Sequence, residues 1–147
     1  NYRMPVITTI LKKSIFDKIK FKNNYEIIGD FDFFTKLSLK GQFGPIQEPL
    51  AYYRIHEKNI SRTKIDLFIK EFNFWIKDNK NLKPFKNYNL QGVFSQIQIL
   101  KIKKYLLKNS KIKMLEEIFK RPINLKKLKF LAALIFPKAI LNKFFYF

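Results

Sequence analysis

The sequence predicts an α/β fold, in which strand-like runs are followed by amphipathic helices. Two runs have the composition of strands, residues 5–12 and residues 50–56; both are apolar, and the second is rich in aromatic and β-branched side chains. Over residues 61–78 the apolar side chains instead recur at the spacing of one helix face, at Ile65, Phe68, Ile69, Phe72 and Ile76. Strands and helices in one chain of this length favour a mixed domain.

The stretch from residue 25 to residue 61 holds the residues best suited to chemistry. It contains the only histidine, His56, and the acid pair Asp30 and Asp32. We expect a helix over residues 31–40, with Asp30 as its N-cap and Gly41 as its stop. A carboxylate at a helix N-terminus is stabilised as the anion by roughly 0.3–1 kcal/mol. Asp30 is therefore suited to accept a proton.

Each of these residues also has a purely structural interpretation. An aspartate at a helix start is most often only a cap, and a histidine at a strand end is most often a surface residue. One histidine in a chain without cysteine does not build a metal site by itself. The residues alone predict a loop, a helix and a strand around a polar pocket, and they name no reaction.

Two motifs stand in this stretch. The first is an acidic motif that opens a helix, Gly29-Asp30-Phe31-Asp32 followed by Lys36-Leu37. The second is a proline turn and strand, Glu48-Pro49-Leu50-Ala51-Tyr52-Tyr53-Arg54-Ile55-His56, followed by Ser61. At this spacing the two motifs resemble the second half of a family 2, GT-A-type glycosyltransferase, and the resemblance covers about residues 5–61. It implies the C-terminal part of a GT-A, Rossmann-like domain, followed by a helical extension.

The resemblance also implies roles for individual residues. Asp30 matches the general base that takes the proton from the acceptor hydroxyl, and His56 matches a ligand of the divalent metal, Mn²⁺ or Mg²⁺. Asp32 and Arg54 belong to the same two motifs and are predicted to bind substrate. The implied donor is a nucleotide sugar. The chain departs from the family at Gly29, where a glutamate is usual, and so lacks that second acid.

The predicted organisation has three parts. Residues 1–61 form the acceptor-side part of the transferase domain, residues 62–78 a packing helix, and residues 79–147 a basic helical extension. In that extension we expect helices over residues 90–107 and 111–120, with a break at Asn109, and a fourth helix capped by Asn124. The sequence starts at Asn1 without an initiator methionine, and we expect it to be the C-terminal portion of a longer enzyme.

The charge balance predicts an anionic partner. Lysine and arginine total 30 against 11 acids, for a net charge of +19. Only four of the basic residues are arginine, and this argues against sequence-specific nucleic-acid binding, in which arginine is the preferred residue. From Lys101 onward 13 residues are basic and 2 are acidic. This pattern fits an interfacial helix on anionic lipid and equally a helical bundle with a lysine-rich outer face.

The leading prediction is an inverting glycosyltransferase that acts on a glycan or lipid-linked acceptor. We expect it in the cytoplasm, peripheral on the inner face of the cell membrane. The alternative is a non-catalytic basic module that binds membrane or nucleic acid, motivated by the charge. A third hypothesis, suggested by Gly29, is a degenerate relative of the transferases.

Overall fold

The computed structural model divides the chain into two compact units, Asn1–Leu90 and Gln91–Phe147. It describes residues 6–52, 54, 56, 58–83, 85–120, 130, 131, 134 and 135. Within this described part the α-helices are α1 (Lys13–Phe16), α2 (Gly29–Ser38), α3 (Ile60–Thr63), α4 (Ile65–Asn79), α5 (Gln91–Leu107) and α6 (Lys111–Phe119). Two short 3-10 helices, Val6–Thr8 and Phe85–Asn87, are also present, and residues 130, 131, 134 and 135 are helical.

The N-terminal unit has its core around one face of α2. Phe33, Phe34 and Leu37 of this helix are buried together with Ile19, and Leu11 and Ile15 pack against them. The ring of Phe21 stacks on Phe33 with 4.4 Å between centroids. Fully burying a side chain of this size contributes about 1.5–3 kcal/mol, so α2 is anchored mainly by its aromatic face.

Another set of aromatic contacts joins α2 to α4. The ring of Phe31 meets Phe72 and Trp75 edge to face, at centroid distances of 5.1 and 5.0 Å. Trp75 is fully buried and also meets Phe85 at 5.4 Å. Since Phe72 and Trp75 lie three residues apart, they share one face of α4, and that face is packed on the first turn of α2.

The C-terminal unit is built on the pair α5 and α6. Its core contains Ile102 from α5, Met114 and Ile118 from α6, and Phe130. The turn between the helices is a Schellman motif: Ser110 N–H donates to the Tyr105 carbonyl and Asn109 N–H to the Leu106 carbonyl. Asn109 has φ of 55°, the left-handed conformation that this motif requires. The predicted break between the two helices is therefore found at Asn109.

The predicted α/β, Rossmann-like fold is wrong for the described residues, which are helical and contain neither strand nor sheet. Residues 42–52 have no regular secondary structure, and each of them is exposed. A strand needs a neighbour to pair its N–H and C=O groups, and the described part of the chain supplies none. High strand propensity without a partner leaves this segment open to solvent.

The first predicted strand is also replaced by other structure. Val6–Thr8 is a single 3-10 turn, and the side chains of Val6, Ile7 and Ile10 are exposed. The predicted helix over residues 61–78 is divided at Lys64 into α3 and α4. The fourth helix predicted from Asn124 begins outside the described residues.

Candidate active site

The candidate site is at the start of α2. The helix begins at Gly29, and its N-cap is Ile28, which provides no side-chain capping bond. Asp30 therefore lies inside the first turn and is not the N-cap, contrary to the sequence prediction. It is half-buried, and its Oδ1 accepts a 2.7 Å hydrogen bond from the N–H of Phe31. The helix dipole at this end favours a negative charge on that carboxylate.

A side chain from a different helix holds the segment that leads into α2. Glu71 of α4 is buried, and its carboxylate accepts three backbone N–H bonds from the segment before α2. Its Oε1 takes the N–H of Glu26 at 2.8 Å, and its Oε2 takes the N–H groups of Ile27 and Ile28, both at 3.0 Å. Bonds to an ionised acceptor contribute about 1.5–3 kcal/mol each. The entry into α2 is thus set by α4.

The same segment has a second link to the beginning of α4. The ammonium of Lys64 pairs with the carboxylate of Glu26 at the protein surface. Both side chains are about half exposed, so this ion pair contributes little compared with the buried bonds of Glu71. The hydrogen bonds of Glu71 therefore stabilise this segment more than the Lys64–Glu26 ion pair does.

Asp32 differs from Asp30 in two ways: it is more deeply buried, and it points to a different side of α2. It is fully buried, and its Oδ1 accepts a 2.9 Å bond from the indole Nε1 of Trp75. Its Oδ2 takes the ammonium of Lys36 at 2.5 Å, one turn further along α2. A buried charge is tolerated when it is paired and hydrogen-bonded in this way. Asp32 holds α2 to α4, and its predicted substrate-binding role stays a prediction.

Arg54 and His56 lie in the exposed segment before α3. The side chain of Asn59 holds this segment in a turn: its Oδ1 accepts from the His56 N–H at 3.3 Å, and its Nδ2 donates to the Arg54 carbonyl at 3.4 Å. Asn59 N–H closes the turn on the His56 carbonyl. Both predicted side chains are exposed, whereas Asp30 is half-buried on α2. Their substrate and metal roles stay predictions.

The donor set around His56 does not fit a divalent metal within the described residues. These contain no group of three or more His, Cys, Asp or Glu side chains arranged to hold an ion. Mn²⁺ and Mg²⁺ prefer several oxygen ligands, and one exposed imidazole does not replace them. We therefore assign no step of the chemistry to a metal held by this chain.

Tyr25 is a buried polar residue near the carboxylates of Glu71 and Asp32. Its side chain is 7 % exposed, and its hydroxyl is buried with no hydrogen-bond partner among the described residues. Burial raises the pKa of Tyr25, the nearby carboxylates of Asp32, Asp78 and Glu71 raise it in the same direction, and together they bring it to about 12. The hydroxyl is thus kept neutral next to the carboxylates that position α2.

Three residues of this arrangement, Tyr25, Glu71 and Trp75, were not assigned a functional role from the sequence. A signal existed for Glu71. It stands three residues after Phe68 and one before Phe72, on the apolar side of the α4 helix, where an acid is costly unless it has partners. Its partners lie more than 40 residues earlier in the chain, and helical periodicity does not identify them.

Comparisons with protein-family models, with curated proteins and with solved structures found no significant match to this chain. Among the described residues, none of the helices combines the length and the apolar character needed to cross a bilayer.

Proposed function

We propose that this chain supplies the acceptor-side part of an inverting glycosyltransferase, which moves a sugar from a nucleotide-sugar donor to a glycan or lipid-linked acceptor. Asp30 is the general base. The observation that carries the proposal is the position of Asp30: a half-buried carboxylate in the first turn of α2, with the preceding segment held by Glu71.

The proposed chemistry needs one carboxylate at a defined position. The acceptor hydroxyl gives its proton to Asp30 while its oxygen attacks the anomeric carbon of the donor sugar. The bond from that carbon to the nucleoside diphosphate breaks, and the diphosphate leaves with the electron pair. Attack from the face opposite the leaving group inverts the anomeric configuration. General-base assistance of this kind contributes typically 10²–10⁴-fold in rate.

The supports of α2 suit this role. A general base must lie within hydrogen-bond reach of its proton, so small displacements of the carboxylate are costly. Glu71 holds the three residues before the helix, and Asp32 ties the first turn to Trp75. In the proposal, Asp30 is the reacting carboxylate, and Asp32 and Glu71 are positioning residues.

The test compares two aspartates that both lie in the first turn of a helix. Asp30→Asn and Asp66→Asn are made in the full gene product that includes this sequence. With nucleotide sugars as donors, Asp30→Asn is expected to lower kcat by about 10²–10⁴-fold, whereas donor binding and far-UV circular dichroism stay unchanged. Asp66→Asn, an exposed control in α4, is expected to keep the native rate.

Two results would count against the proposal. Transfer by Asp30→Asn at the native rate would remove Asp30 as the base. A full-length protein that neither transfers nor hydrolyses any nucleotide sugar would favour a degenerate, non-catalytic relative. His56→Ala adds an independent arm: an unchanged dependence of the rate on Mn²⁺ would show that His56 is not a metal ligand.

A further inference from the structure

The inner face of α6 is held firmly in the C-terminal unit. Met114 and Ile118 are buried against Ile102 of α5. Glu117, on the same side, is buried and pairs with Lys120 at 2.9 Å and Lys101 at 3.9 Å. The hydrogen bond from Lys120 to Glu117 raises the pKa of that lysine. These contacts determine which side of α6 faces outward.

The outward side of α6 carries large apolar residues. Ile112 is 75 % exposed and Phe119 is 67 % exposed, and Leu115 between them is half-buried. These residues follow the spacing i, i+3, i+7, which puts them on one face of the helix. We call Ile112, Leu115 and Phe119 the outer stripe. A stripe of this kind on an exposed helix marks an interaction surface.

Exposed charged residues surround the outer stripe. Lys111, one residue before Ile112, lies along one edge of the stripe, and Lys113 lies further round the helix; both are exposed. Lys108, just after the end of α5, is exposed as well. Glu116, four residues after Ile112, lies along the other edge and is the one exposed acid of α6. The surroundings of the stripe are therefore mainly cationic.

We propose that the outer stripe of α6 docks on an anionic lipid bilayer. Exposed aliphatic and aromatic groups enter the boundary between headgroups and acyl chains, and the neighbouring lysines meet the anionic headgroups. A nucleic acid would use the lysines but would leave Ile112 and Leu115 in water, because aliphatic groups gain nothing from a phosphate backbone. The combination of the stripe with its lysines thus favours lipid.

The geometry of the lysines fits a helix that lies in the plane of the membrane. A lysine side chain can run along the apolar surface and bring its ammonium to the headgroup level. Each lysine near an anionic bilayer surface strengthens binding about five-fold, and the effect is lost beyond a Debye length. The proposal does not depend on transferase activity, and its test does not measure it.

The test is co-sedimentation of the full chain with vesicles. Vesicles of phosphatidylcholine mixed with phosphatidylglycerol are expected to bind the protein, and vesicles of phosphatidylcholine alone are expected to bind it at least ten-fold more weakly. Added salt should weaken the first interaction. Equal binding to both vesicles, or binding to neither, would overturn the proposal.

Matched variants test the surface itself. Ile112→Asp is compared with Ile10→Asp, which makes the same change at an isoleucine that is 88 % exposed in the other unit. We expect Ile112→Asp to weaken vesicle binding about ten-fold or more, and Ile10→Asp to leave it unchanged. The pair K111Q/K113Q should weaken binding about 25-fold, whereas K12Q/K13Q, with the same loss of charge, should change it less than three-fold.

Three outcomes would assign the surface to something else. Equal losses in the two lysine pairs would mean that net charge acts without a defined surface. Tighter binding of a single-stranded RNA, abolished by K111Q/K113Q and unaffected by Ile112→Asp, would point to nucleic acid. A change in sedimentation mass caused by Ile112→Asp without lipid would make the stripe an interface between copies of the chain. Circular dichroism confirms that each variant is folded.

Discussion

The indole Nε1 of Trp75 donates a 2.9 Å hydrogen bond to Oδ1 of Asp32, and both side chains are fully buried. This bond joins residues 43 positions apart, one on α4 and the other on the first turn of α2. One turn earlier on α4, Glu71 receives the backbone of the segment that leads into α2. The two contacts together determine where Asp30 lies.

Trp75→Phe is expected to destabilise the N-terminal unit by about 1.5–3 kcal/mol, because Asp32 then stays buried with one donor fewer. Trp75 is the only tryptophan, so urea unfolding is followed by far-UV circular dichroism. A double-mutant cycle with Asp32→Ala should give a coupling of about 1–3 kcal/mol. The same cycle with the exposed Asp66→Ala should be additive, and additivity in both cycles would contradict a direct bond.

Glu71→Gln is expected to lower the free energy of unfolding by about 1.5–3 kcal/mol. An amide keeps one acceptor oxygen and turns an N–H₂ group toward backbone N–H groups that need an acceptor. Hydrogen exchange should accelerate at the amides of Glu26, Ile27 and Ile28. The exposed Glu116→Gln is the control and should change stability by less than about 0.5 kcal/mol. Unchanged exchange at the three amides would refute the assignment.

Tyr25→Phe is expected to raise stability at neutral pH by about 1 kcal/mol, since it removes a buried hydroxyl that has no partner among the described residues. The exposed Tyr88→Phe is the control and should have no comparable effect. If Tyr25→Phe instead destabilised the protein by several kcal/mol, the hydroxyl would have to make a bond that the structure does not show.

The pH dependence of stability provides a second test at Tyr25. Burial raises the pKa of the folded-state phenol from 10.0 to about 12, so the unfolded chain loses this proton first as the pH rises. The wild-type protein should therefore lose stability as the pH rises from about 10 to about 12. Below pH 10 the ionisation of Tyr25 causes no loss of stability. Tyr25→Phe should show a smaller loss over the same interval in urea unfolding at fixed pH. Parallel curves for the two proteins would contradict the raised pKa.

Because Asn109 has a left-handed backbone conformation, glycine and alanine substitutions there are expected to rank in the opposite order from the same substitutions inside a helix. Glycine adopts φ of 55° without a steric cost, whereas alanine does not, so Asn109→Gly should be more stable than Asn109→Ala by about 1 kcal/mol. At the exposed Asn73, inside α4, the order should be reversed, because glycine is about 1 kcal/mol worse than alanine within a helix. Thermal unfolding followed by circular dichroism measures both pairs. The same order at both sites would show that the backbone conformation at Asn109 is not the cause.

Helices were predicted from the sequence far better than strands. The predicted helices over residues 90–107 and 111–120 correspond to Gln91–Leu107 and Lys111–Phe119, and the break falls at Asn109. The α/β fold was wrong for the described residues, in which the strand-like residues 50–52 have no strand beside them to pair with. A helix closes its hydrogen bonds within four residues, whereas a strand depends on a distant segment.

For the candidate site, too, local features followed from the sequence and long-range contacts did not. The sequence alone determined that Asp30 and Asp32 lie at the start of a helix, that the chain is strongly basic, and that an apolar face runs along α4. Only the tertiary structure decided that Asp32 is buried and bonded to Trp75, that Asp30 is half-exposed, and that Glu71 binds the backbone of the segment before α2. The physical reason is that burial and hydrogen bonding of a carboxylate depend on groups more than 40 residues away in the chain, and local sequence patterns do not identify those groups.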